Sequence, residues 1–365
     1  MLRTYLVLAL LTLAIPAAVV RGADDTEPTV RGKKAAEWLE MLQKDPNGDR
    51  RRAAVIALGM LGPKVAGVVL GLSDALKDKD AAVRRTAAQT LGQMGADGRK
   101  AVEPLADTLK TDKVDVVRQT AAMALGRLVP AAKAAVPELT DALQDQHAGT
   151  RAAAAEALGR LGPDAAAAQS PLVRLLKDSE PLVRGQAAFA LGRLGSEAQA
   201  AVPGLAEAML HDSRVEVRRF AAEALGNIGI QAQAAVASLA QALKDKQVEV
   251  RRAALLALNK MGSEARPAVP SLLEALKDSD KSVRSLAIHT VGPFAQEEPT
   301  VVPALVACLA DEVVDVRLAT VEELARLGPV AKAALPALRD LQKSDGRSIV
   351  REAAADAVRR IQPPS

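Results

Sequence analysis

Apolar residues recur along this chain at spacings of three and four, and that spacing itself returns every 33 or 34 residues. Ala87, Ala88, Leu91 and Met94 share one face of a helix, and Ala187, Ala188, Leu191 and Leu194 do the same three units later. Counted from an arginine that opens each unit as position zero, these are positions +3, +4, +7 and +10. Position +11 is glycine in seven units, including Gly62, Gly162 and Gly195, where a helix end favours a residue tolerant of the left-handed conformation. A proline near +19 or +20, as at Pro137, Pro203 and Pro270, opens a second apolar-periodic helix, where its missing N–H has no partner to lose. The pattern predicts two helices and two short turns per unit, and no strand.

The second helix ends at an aspartate, and five residues separate it from the next arginine. The pairs are Asp45/Arg51, Asp78/Arg84, Asp112/Arg118, Asp145/Arg151 and Asp178/Arg184, then Asp212/Arg218, Asp245/Arg251, Asp278/Arg284, Asp311/Arg317 and Asp345/Arg351. So strict a period means a repeat array. The pairs are read as a structural ladder, because position zero falls on the buried side of the helix with +4 and +7. Position +8 is glycine in seven units, from Gly59 to Gly292. Inside a helix each should cost about 1 kcal/mol against alanine, and close approach by the adjoining helix is the expected return.

The units resemble HEAT repeats of the short type found in phycobilisome-lyase-like proteins. VRRTAAQTLGQMG (Val83 to Gly95) followed by AVEPLADTLKTD (Ala101 to Asp112) carries the resemblance, which extends from about Asp45 to Ile361. It implies an all-α fold, a right-handed α-solenoid of about ten two-helix repeats. It also implies that the arginine-bearing helix lines the concave face. The Thr-Pro-Leu-His and Trp/Tyr marks of ankyrin and tetratricopeptide arrays, which share the period, are absent.

Composition refines this picture. Half the residues are apolar (49%) but only 1% aromatic, so the core must be built from Ala, Leu and Val in closely packed helices. The formal charge is +4, yet Arg3 and Arg21 lie in the leader, and without them 46 basic residues face 44 acidic ones. Near neutrality supplies no general attraction to nucleic acid.

Residues 1–22 read as a signal peptide: Arg3, then an apolar run over residues 6–20, then Val20 and Gly22 at the −3 and −1 positions of a cut before Ala23. The run is too short to span a bilayer, so an exported chain, periplasmic or secreted, with no stable membrane span is expected. Residues 23–32 read as a polar tether and 33–365 as the array, with residues 33–43 as an N-terminal capping helix. Trp38 in that helix is read as packing against the end of the stack. The single cysteine, Cys308, is read as a small core residue.

Function must lie on what the stack leaves exposed. Position +5 points away from the core, with +1 and +9 beside it. Phe294 takes a core position, whereas Phe189 (+5) and Phe220 (+2) are expected to be exposed. The candidate partner-binding residues on this face are Arg85, Met123, Arg127, Arg160, Phe189, Arg193, Arg219, Phe220, Arg252 and Leu256. Apolar groups rimmed by arginine suit a protein or peptide partner.

Chemistry finds little support. His147, His211 and His289 fall in different repeats at different phases, and no His or Cys cluster has metal-ligand spacing. No glycine-rich phosphate loop follows a strand, and no repeat carries an inserted loop that could hold a catalytic site. No catalytic residue, metal or cofactor is assigned. A non-catalytic scaffold or adaptor is the leading reading, with a bilin-lyase-like enzyme and a nucleic-acid-binding protein as alternatives.

Overall fold

The computed structural model describes residues 27–362. The signal peptide expected at residues 1–22 lies outside them. Helices dominate, and they alternate as the period predicts. The chain divides into two compact units, one up to Ala135 and one from Val136 onward.

The first unit opens with a departure from the expected tether. Thr29–Val30 and Lys33–Lys34 form a two-stranded antiparallel ribbon, turned through Arg31 and Gly32 at φ +50° and +75°. The capping helix therefore starts at Ala35 rather than at residue 33 and runs to Lys44. Trp38 is buried, donates its indole N–H to the Val30 carbonyl at 3.2 Å, and lies 5.3 Å below the Lys33 ammonium. The ribbon thus folds back onto the ring, giving the indole the partner that a buried N–H requires. Arginine helices follow at Gly48–Leu61, Ala81–Gln93 and Asp115–Arg127, with second helices at Val68–Asp74 and Val102–Thr111.

The second unit repeats the same plan. Repeat five is representative, with its arginine helix at Pro181–Leu194, a 3₁₀ turn at Gly195–Ala201 and a second helix at Val202–His211. Ala187, Ala188, Leu191 and Leu194 are fully buried. Pro203 sits in the first turn of the second helix. Gly195 ends the arginine helix at φ +63°, ψ −138°. The positive φ was expected, but that ψ lies outside the left-handed helical region, in territory open essentially to glycine alone. The glycines at +8 form notches: a Cβ on Gly192 would stand 2.7 Å from the Ala224 Cα, and one on Gly226 2.8 Å from the Ala257 Cα.

The charged ladder is built differently from the expected pairing. Arg51, Arg84, Arg151, Arg184, Arg218, Arg251, Arg284 and Arg317 each fork onto the aspartate of the following repeat, not onto the carboxylate six residues before it. Arg251 Nε and Nη2 reach the Asp278 carboxylate, both at 2.7 Å, while its Nη1 donates to the Asp245 carbonyl at 2.9 Å. The same contacts link Arg51 to Asp78 and Arg84 to Asp112 in the first unit. In the second they link Arg151 to Asp178, Arg184 to Asp212, Arg218 to Asp245, Arg284 to Asp311 and Arg317 to Asp345. Arg118 Nη1 takes the Asp112 carbonyl at 2.9 Å. Each aspartate also accepts from the backbone two residues on, as Asp178 Oδ1 does from the Glu180 N–H at 2.9 Å. One carboxylate therefore closes its own turn and anchors the previous repeat. At the ends of the ladder, Asp45 accepts from the Asn47 N–H at 2.9 Å and pairs with Arg50 at 3.6 Å, and Arg351 donates to the Asp345 carbonyl at 2.6 Å.

Candidate partner-binding surface

Positions +5 and +9 lie along the solvent side of the arginine helices, joined by +1 except where Ala152 and Gly185 are buried there. In the first unit Arg85 and Arg127 are exposed, as are Met123 and Ile56.

In the second unit the aromatic residues are half-buried, not exposed as expected. Phe189 and Phe220 meet edge to face, with centroids 6.4 Å apart and planes at 70°, an arrangement favoured by the ring quadrupoles. Glycines make the floor beneath them. A Cβ on Gly159 would stand 3.1 Å from the Phe189 ring, and one on Gly185 3.6 Å from the Phe220 ring. The Arg219 guanidinium lies 4.2 Å from the Phe220 centroid and pairs with Glu223 one turn on, at 2.5 Å. Stacking of this kind contributes about 0.5–1 kcal/mol at a partly exposed site. The aromatic pair is thus preorganised, with rings fixed by their floor and a cation already in place.

Around it the basic residues fall into two kinds. Arg160 and Arg219 are engaged on their own helices, Arg160 with Glu156 at 2.7 Å. Arg193 and Arg252 are exposed and have no ion-pair partner among the described residues. Lys260 donates to the Asn227 side chain at 2.8 Å, so consecutive +9 positions touch across the repeat boundary. Leu256 stands between these rows, 44% exposed.

Two features escaped the sequence reading. Leu182 (63% exposed) extends the apolar surface beyond Phe189, and Ile230 (60%) is exposed in the 3₁₀ turn Gly229–Ala235. Leu182 lies seven residues before Phe189, two helical turns on the same face, so the phase was available in the sequence. The other feature is a buried carboxylate. Glu323 occupies the +6 place where most repeats carry alanine, and its side chain is 1% exposed. It is held by Arg326 and, at 3.2 Å, by His289 Nδ1, and Gly292 leaves it the room. Thr290, next in the chain, is buried and donates its hydroxyl to the Leu286 carbonyl. The hydrogen bond to Glu323 raises the His289 pKa above its usual value against the opposing effect of burial.

Phe294 is buried as expected. Burial pushes the Cys308 thiol up to about 11, leaving it a poor nucleophile. Among the described residues no group of three His, Cys, Asp or Glu side chains could hold a metal ion, and no helix is long and apolar enough to cross a membrane.

The chain matches the family model for HEAT repeats over residues 35–126, 117–169, 136–214, 202–269 and 269–359. No curated protein matches it. Among solved structures, an engineered protein aligns at TM-score 0.61 and 22% identity, covering 91% of this chain and 100% of its own. Importin beta aligns at 0.62 and 13%, covering 90% of this chain, which spans 50% of importin beta. Kap121p bound to Nup53p aligns at 0.54 and 15%, over 90% of this chain and 41% of its own. At these identities the likeness is one of fold.

Proposed function

The chain belongs to the HEAT-repeat family, and from that premise we propose that it is a non-catalytic scaffold or adaptor that binds a protein or peptide on its arginine-helix face. The Phe189–Phe220 pair on its glycine floor carries this reading. Two rings held rigidly at the surface, capped by Arg219 and flanked by Arg193, have the make-up of an interface hot spot, where aromatic and arginine side chains dominate. Little conformational entropy remains for them to lose on binding. Kap121p, whose fold this chain resembles, has been solved bound to Nup53p. The buried carboxylates Asp78, Asp112, Asp178, Asp212 and Glu323 are each held by a guanidinium, which leaves them poorly placed to take a proton from a substrate. Within the first unit, Arg85, Met123 and Arg127 are the candidate partner-binding residues in this reading. The leader directs the chain out of the cytoplasm in this reading, and the 33- or 34-residue period supports the short-repeat subtype. Phe189→Ala/Phe220→Ala should release a partner captured from an envelope extract by the wild-type chain, lowering affinity at least about tenfold, with helix content unchanged by circular dichroism. Undiminished capture by that variant would remove the basis for the proposal.

A further inference from the structure

We infer that the segment recognised by the second unit is an extended, acidic stretch of a partner protein, with carboxylates at every third residue and an apolar anchor for the Phe189–Phe220 pair. This inference rests on the protein-binding reading above and specifies the partner's chemistry.

The +9 row of this unit runs Arg160, Arg193, Asn227, Lys260. The 2.8 Å contact between Lys260 and Asn227 shows that neighbouring members of the row reach one another across the repeat boundary. Packed helices stand about 8–10 Å apart, which equals about three residues of polyproline-II-type extended chain at roughly 3.1 Å each, and its three-residue turn returns every third side chain to one face. A peptide lying across the helices therefore presents every third side chain to successive members of the row.

Charge supplies the second half of the argument. Arg193 and Arg252 have no carboxylate partner among the described residues, and Lys260 meets an amide rather than an acid. These three cations are free to accept carboxylates from outside. The acids that do sit among them, Glu156 and Glu223, hold Arg160 and Arg219 on their own helices.

At the opposite edge of the face, two residues before each opening arginine, stand Leu182, Glu216 and Glu249. Glu249 is exposed and repels a uniformly charged polyanion such as nucleic acid, whereas Glu216 is paired with Arg214 at 3.5 Å. A peptide avoids that cost by carrying uncharged residues between its carboxylates, one of which fills the space between Leu182 and the two rings.

The test is fluorescence anisotropy on the full chain with a labelled synthetic peptide bearing Asp at every third position and one central Leu-Phe anchor. Two controls accompany it: an isomer with the same residues but its acids clustered at one end, and a single-stranded oligonucleotide of equal charge. The periodic peptide should bind at least about tenfold more tightly than the clustered isomer, and its affinity should fall with added salt. Arg193→Glu/Lys260→Glu should weaken it by a similar factor with helix content intact. Equal affinity for the two isomers, or tighter binding of the oligonucleotide, would overturn the inference. A separate capture experiment keeps the two readings apart. If a protein partner lost by Phe189→Ala/Phe220→Ala is retained by Arg193→Glu/Lys260→Glu, the acidic-segment inference falls and protein binding stands. If neither variant alters capture, protein binding on this face falls as well.

Discussion

Arg184 holds two repeats at once, the Asp178 carbonyl at 2.8 Å behind it and the Asp212 carboxylate ahead. The two contacts separate experimentally. Arg184→Ala and Asp212→Ala should each cost about 3–5 kcal/mol, because either one leaves a charge buried without its partner. In a double-mutant cycle the two should couple by about 1–3 kcal/mol. Arg184→Ala and Asp178→Ala should add nearly independently, since alanine keeps the carbonyl that Arg184 uses. Strong coupling in the Arg184/Asp178 cycle, measured by thermal or denaturant melts, would reinstate pairing within a repeat.

These carboxylates also set the response to acid. Burial pushes Asp78, Asp112, Asp178 and Asp212 up, but the arginine fork and the capped backbone N–H outweigh it, so each carboxyl lies below its ordinary value. A lowered pKa in the folded state contributes stability that is complete above the ordinary range, near about pH 4, and is lost as pH falls through the lowered values. His289 has the opposite sign. Its raised pKa contributes stability below about pH 6.5 that is lost as pH rises through the folded value. His289→Gln should therefore flatten the melting temperature between pH 6 and 8 while leaving the acid limb unchanged. An unaltered slope in that range would show that Arg326 alone holds Glu323. The groups facing the imidazole are Glu322, Glu323 and Arg326.

At the scale of the helix, glycine acts in two distinct ways. Gly192→Ala drives a methyl group against the backbone of the next arginine helix, and overpacking of about 1–3 kcal/mol exceeds the gain in helix propensity of about 1. Gly195→Ala meets nothing within 4 Å, and its cost of about 1–3 kcal/mol comes from backbone strain alone. Asparagine should rescue neither, since the ψ of −138° at Gly195 is not the left-handed helical geometry that asparagine tolerates. Recovery of the wild-type melting temperature by Gly195→Asn would refute that account.

The helices, their apolar stripe and both glycine positions were legible in the sequence because each obeys a period. The aspartate–arginine spacing was equally legible, but spacing along the chain does not say which repeat supplies the partner. Only the stacking decides that Arg184 reaches forward to Asp212. The half-burial of Phe189 was hidden for a similar reason. Its floor is Gly159, a residue of the preceding repeat that no pattern within its own helix could reveal. The terminal ribbon lay outside any repeat, and its four strand residues are too few to show an alternation. Glu323 was invisible because a charged residue at a helix face reads as solvated until the neighbouring helix is in place.

For the molecule as a whole, the ladder has a direction. In the second unit each repeat-opening arginine from Arg151 to Arg317 reaches toward the C-terminus for its aspartate. Neighbour-to-neighbour coupling of this kind makes an array cooperative over short distances. Cutting it is therefore not symmetric. A shortened array that ends just before one of these aspartates leaves the preceding guanidinium facing water or apolar surface with its fork empty. One that begins just after an arginine leaves an aspartate that still closes its own turn. Hydrogen exchange on matched truncations should find the newly made C-terminal end opening faster than the newly made N-terminal end, so that such a stack would come apart like a zipper with a slider at only one end.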